Sequence, residues 1–187
     1  MFNPERGSFE YIKKKKIKHM GMILLLLLIG VIIFTVGLFI HKFDRANICT
    51  VAAILMVLPA AKHLVTFIVL FPYKSVSKER YDKVTELAGD NAVVMADMVI
   101  TSPDKVMDLD FVIITDNQVL ALVGKKGQDA KYIEKYLKES LKNNELEEFT
   151  VKVFEEEKQF IKCIPSREYE STELQEKCFL YVRTLVV

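Results

Sequence analysis

The chain reads as an α+β protein: an N-terminal two-helix transmembrane hairpin followed by a small α/β cytoplasmic domain with a mixed sheet. Three observations lead there. Two long apolar runs, Met20–Ile40 and Ile48–Phe71, are separated by seven residues. The tail beyond them alternates short apolar strand-like runs with amphipathic stretches. The expected order of the tail is α-β-β-β-α-β-β-α. Three segments follow: a basic N-terminal segment (1–19), the hairpin (20–73) and the α/β domain (74–187).

The first run holds no charge over 21 residues. As a helix it spans roughly 31 Å, against a hydrocarbon core of about 30 Å. It is apolar all round, whereas a water-soluble amphipathic helix keeps a polar face. Gly30 and Gly37 are seven apart, on one face, where a second helix can approach closely. The second run carries Pro59, which predicts a kink, and then Lys62 and His63. A lysine within hydrocarbon costs about 3 kcal/mol on insertion scales. Two readings of this intramembrane polar pair stay open. Lys62 snorkels to the headgroups, or it serves a polar path or a partner subunit's carboxylate.

Six Lys and Arg precede the first run, two stand in the connecting loop His41–Asn47, and four follow the second run. The positive-inside rule therefore predicts a two-pass protein of the cell membrane with both termini cytoplasmic and the loop outside. The first run is too long for a signal-peptide core, and no small-residue cleavage site follows it. The Lys13–Lys18 cluster suits anionic lipid.

The net charge of +1 hides an asymmetry. From Lys74 onward 17 Lys and Arg stand against 22 Asp and Glu, a net −5. That balance argues against nucleic acid as a partner. Cys49, Cys163 and Cys178 form no Cys-x-x-Cys and are expected to be reduced and structural. With three histidines and no Cys/His cluster, a structural zinc site is not expected.

In the tail, Pro72 stops the second span and Tyr73 suits a membrane interface. Ser77 is an N-cap candidate for a helix over Lys78–Leu87, with Gly89 beyond its end. Strands are expected over Asn91–Thr101, Leu109–Thr115 and Gln118–Gly124. The last two are separated only by Asp116 and Asn117, residues tolerant of positive φ, which is a hairpin signal. Both are apolar at consecutive positions, as in central strands covered on both faces. Asp129 caps a helix over Ala130–Lys142. Phe149–Phe154 and Gln159–Ile164 read as two more strands. Thr172 to Gln175 fits a capping box for a last helix from Glu173, while its end, Tyr181–Val187, is rich in β-branched residues and suits a strand as well.

One constellation hints at chemistry. Asp108 and Asp110 begin the second of these strands, and Lys125-Lys126 follow the third, so a two-residue hairpin brings them to the same open end. A carboxylate there can hold a divalent cation, and a lysine can steady charge on phosphate. A charged strand end simply solvated by water accounts for the same residues.

The stretch Leu-Asp-Phe-Val-Ile-Ile-Thr-Asp-Asn-Gln-Val-Leu-Ala-Leu-Val-Gly-Lys and the element order resemble the restriction-endonuclease-like core, and within it the nuclease-related NERD domains, over roughly Lys78–Ile164. The resemblance implies catalytic roles for Asp110, as metal ligand, for Lys125 and for the helix residue Glu79. It also implies a divalent metal such as Mg²⁺ as the only cofactor, and only if the nuclease reading holds. The family's catalytic Glu falls on Val123, which removes a metal ligand. Three functional readings follow. The leading one is a membrane-anchored, non-catalytic α/β module acting in protein interaction or assembly, its partners the bilayer and a second protein or a second copy joined through the spans. The others are a metal-dependent nuclease with a displaced acidic ligand, Asp97 or Asp108, and a small oligomeric transporter or channel subunit.

Overall fold

The computed structural model of the chain describes residues 4–40, 47–165 and 172–187. It is α+β, and it forms two compact units: Lys13–Pro72, and residues 4–12 together with Tyr73–Val187.

The first unit is helical. Helix α1 (Tyr11–Ile40) includes the basic cluster, so it begins nine residues before the apolar run. The second run is two helices, α2 (Ile48–Leu55) and α3 (Val57–Leu70), interrupted at Met56. The cause is Pro59, which has no N–H to offer the carbonyl of Leu55 four residues back. At the end of α2 the Met56 N–H is shared between the carbonyls of Ala52 and Ala53, both at 3.3 Å. Asn47 caps α2 through its side chain, 2.9 Å from the Thr50 N–H. Both stretches, 30 and 23 residues long, are long and apolar enough to cross a membrane.

The two long helices pack together where α1 lacks side chains. A Cβ on Gly37 would stand 2.4 Å from the Cys49 Cβ, and one on Gly30 would stand 3.6 Å from the Ala53 carbonyl oxygen. Gly21, by contrast, has open space around it. The glycine face read from the sequence is thus a contact face.

The second unit is a four-stranded mixed sheet with helices. Its strands are β1 (Val93–Thr101), β2 (Val106–Ile114), β3 (Gln118–Val123) and β4 (Thr150–Phe154), in spatial order β1-β2-β3-β4. The first three run antiparallel and β4 runs parallel to β3. The crossover between β3 and β4 is α5 (Ala130–Lys142), capped by Asp129 at 3.1 Å from the Tyr132 N–H. Its stripe Ile133, Leu137 and Leu141 is buried.

Helix α4 (Lys78–Ala88) starts at Ser77 and ends at Gly89, whose φ of +76° suits glycine. The β2–β3 turn is two residues, closed by the Thr115 N–H on the Gln118 carbonyl at 2.9 Å. Neither Asp116 nor Asn117 takes a positive φ there. β2 and β3 are buried along almost their whole length, as consecutive apolar residues require.

One expected strand is a helix. Gln159–Ile164 lies within and just beyond α6 (Glu157–Cys163), not in a fifth strand. Phe160 and Ile164 are four apart and bury on one helical face, with Phe160 stacked 6.3 Å from Phe111. Glu157 in the first turn and Lys162 in the last suit the helix dipole. The last helix, α7 (Glu173–Thr184), forms as expected, with Thr172 accepting from the Gln175 N–H at 3.2 Å. The Gln175 side chain does not return to close the box. It donates to the carbonyls of Asn91 and Ile114, tying α7 to the end of the sheet.

β1 is an edge strand covered by the chain ends. The Ala96 N–H donates to the Gly7 carbonyl at 2.8 Å, and the Val187 N–H donates to the Val99 carbonyl at 2.9 Å. Tyr73 is buried in this unit. Cys178 is fully buried, and burial pushes its thiol up to about 12, so it is an inert core residue. Cys163 is exposed, so the expectation of a structural role does not hold for it.

The Gly37 contact is testable. Gly37→Ala is expected to lower hairpin stability by about 1–3 kcal/mol, the usual range for overpacking, while Gly21→Ala changes little. Thermal unfolding of the full chain in mild detergent checks this; equal midpoints for the two variants would count against the contact.

Candidate functional site

A cavity of about 740 Å³ opens beyond the carboxyl ends of the two parallel strands β3 and β4. One wall is Gly124–Gln128, the loop that leaves β3. The other is Glu155–Lys158, which leaves β4 and enters α6. Arg80 and Asp110 lie between. Open α/β sheets place ligands in this position.

The register of the hairpin builds the floor. Leu109 pairs with Val123, Phe111 pairs with Leu122, and the shift between them leaves Asp110 without a partner on β3. The carboxylates of Asp108 and Asp110 then converge beside Gly124. A Cβ on Gly124 would stand 2.6 Å from an oxygen of each. Only glycine fits at that point. The loop is held by the Gly124 N–H on the Asp108 carbonyl, 2.9 Å, and by Gln128, whose Oε1 accepts from the Asp108 N–H at 3.0 Å.

Arg80 organises the charges. Its Nη1 is 2.8 Å from an Asp110 oxygen, and its Nη2 is 3.0 Å from Glu157. Its Nε donates to the same Glu157 oxygen at 3.1 Å, and the guanidinium lies over the Phe111 ring at 5.5 Å. Burial pushes the Asp110 carboxyl above its ordinary value, and Arg80 pulls it back.

Asp110 and Lys125 therefore line one crevice, as the hairpin reading expected. Glu79 does not join them. It is exposed in the first turn of α4, and the next residue, Arg80, takes the inward position. Sequence reasoning missed Arg80. No local signal marks it, since its partners Asp110 and Glu157 lie far along the chain.

The implied divalent metal does not fit these residues. Asp110 is engaged by a guanidinium, Val123 stands where a second carboxylate is needed, and Glu79 faces elsewhere. Among the described residues no three His, Cys, Asp or Glu groups gather as a metal set. Of the displaced ligands considered, Asp97 is buried with φ +55° and spends one oxygen on the Val76 N–H at 2.8 Å. Burial raises its pKa, while bonds from Ser75, Val76 and Ile12 lower it. Asp108 is buried beside Gly124.

In the helical unit, His63 is 2.9 Å from His19, Nδ1 to Nδ1, so one ring donates and the other accepts. His19 immediately precedes the apolar run of α1. Lys62 and His63 thus stand level with the basic end of that helix, not at the middle of the run. Lys62 is exposed. Beyond them, Lys16 donates to the Phe71 carbonyl at 2.9 Å. The connecting loop 41–46, with Lys42 and Arg45, lies outside the described residues.

The chain matches no family model, no curated protein and no solved structure.

Arg80→Ala tests the charge arrangement. An acid whose folded pKa is raised binds more protons folded than unfolded, so its contribution to stability falls as pH rises through the raised value. Without Arg80 the Asp110 pKa rises further. The variant is expected to lose about 1–2 kcal/mol near pH 7.5, a figure discounted because Arg80 is partly exposed, and less near pH 4.5, because the upward direction of the Asp110 shift makes its neutral form more accessible on the acid side. Urea unfolding at the two pH values reads the difference; an equal loss at both would refute the coupling.

Proposed function

We propose that the chain is a membrane-anchored module, passing twice through the bilayer with both termini in the cytoplasm, whose folded tail acts by binding and assembly and not by cleaving phosphodiesters. The observation that carries this reading is the Arg80–Asp110 ion pair at 2.8 Å. A nuclease needs that carboxylate for its metal, and here a permanent cation of the same chain occupies it. Val123 in place of a carboxylate supports the same reading.

The element order α4-β1-β2-β3-α5-β4 and the mixed sheet agree with what the resemblance to restriction-endonuclease-like cores implies. On this reading the chain keeps such a scaffold and has given its metal position to an internal ion pair. The close approach at Gly37 gives the spans a fixed internal packing, which suits a module that positions its tail near the bilayer and meets a partner there.

Two measurements test the proposal on the full chain in detergent. Calorimetry with Mn²⁺ and a nicking assay on DNA and RNA are expected to give no saturable binding and no cleavage. Cleavage that disappears in Asp110→Ala would overturn the non-catalytic reading. For topology, Cys163 is exposed, so with Cys49 replaced by serine an impermeant maleimide should label it in inverted vesicles and not in intact cells. The opposite pattern would invert the orientation.

A further inference from the structure

We propose that His19 and His63 form a pH-operated fastening between α1 and α3, closed while at least one ring is neutral and opened when both carry a proton. The inference concerns the helical unit alone and is independent of whether the tail cleaves.

The contact itself sets the rule. Nδ1 of His19 stands 2.9 Å from Nδ1 of His63, with the ring centroids 5.0 Å apart. At that separation one Nδ1–H donates and the other Nδ1 offers its lone pair. A first proton can enter at Nε2 of the donor ring, which takes no part in the bond, and the bond then gains charge assistance. A second proton must take the lone pair that accepts. Two N–H groups and two positive rings then face each other, and the bond is lost.

The surrounding helices do not offset that second charge. α1, α2 and α3 hold no Asp or Glu along their length. The charged groups that act on His19 are His63, Lys15 and Lys18, all basic. Next to His63 on α3 stands Lys62, also basic. Of these groups only the histidines change charge between about pH 5 and 8.

The rest of the hairpin lets the fastening act. At Gly30 and Gly37, α1 packs against Ala53 and Cys49 of α2, a contact that histidine protonation does not touch. α3 is tied to α1 by the histidine pair and by Lys16, which donates to the Phe71 carbonyl at 2.9 Å. The interruption at Met56 separates α2 from α3. Loss of the pair therefore frees α3 to move from α1 while α2 stays packed. The closed pair holds one proton fewer than two separated imidazolium rings, so acid favours the open form. Below the ordinary histidine value of about 6.5, the open-to-closed ratio rises about tenfold for each pH unit.

The test is a spin-label distance measurement on the full chain in mild detergent, near pH 7.5 and near pH 5. Ile17→Cys and Leu64→Cys carry the labels, since both positions are exposed. Cys49 and Cys163 are replaced by serine, and Cys178 is fully buried and stays. One short separation is expected near pH 7.5, joined by a longer one near pH 5. His63→Ala and His19→Ala should each abolish the pH response, and His63→Lys should show the longer separation at both pH values. Unchanged helical circular dichroism near pH 7.5 confirms that each variant folds. A distribution that ignores pH with both histidines present overturns the proposal, and that comparison needs no histidine variant. A response of equal size in the alanine variants overturns it too, because another group then titrates.

Discussion

The register of the β2–β3 hairpin is the constraint on which the folded unit depends. A two-residue turn closed between Thr115 and Gln118 leaves no freedom to slip, and a slip by one residue would turn every core side chain to the wrong face. From that register Leu109 meets Val123. One residue on, Asp110 falls beside Gly124 with no partner across the strand. The same strand carries the parallel pairing to β4, which opens the crevice at its carboxyl end. The sheet thus sets the position of the site before any charged group acts.

Charge then determines what the site can do. A carboxylate drawn into the sheet must be neutralised by a proton, a metal or a cation. Arg80 supplies the cation, and its planar fork reaches both Asp110 and Glu157 from a helix on another part of the chain. The bond links α4, β2 and α6 in one contact. It also removes Asp110 from the ligands a metal could use. One arginine thus balances charge at the crevice floor and ties its elements together.

The helical unit follows a simpler rule. Its helices are apolar outward and approach each other where side chains are missing, at Gly30 and Gly37. Pro59 breaks the second helix at Met56, because it has no N–H for the Leu55 carbonyl four residues before it. The polar residues of the second run stand beside His19 and do not lie at mid-span. Lys62 is exposed next to that histidine pair.

Much of this was legible in the residues. Helix caps at Ser77, Asp129 and Thr172, the Gly89 stop and the tight turn after Thr115 are local signals, and each formed as local chemistry dictates. The length of the two apolar runs determined two membrane-length helical stretches, but not the break at Met56. The meeting of Asp110 and Lys125 was also readable, because two strands joined by two residues must share their open end. Gln159–Ile164 was not, since Phe160 and Ile164 suit either a strand or one helical face. Only the place beneath them, against Phe111, decided for a helix. Nor was Arg80 readable as the partner of Asp110, 30 positions away. Local sequence determines spacing and period within an element. Which charge is buried beside which, and so whether a carboxylate meets a metal or a guanidinium, depends on the desolvation and packing that only the assembled fold imposes.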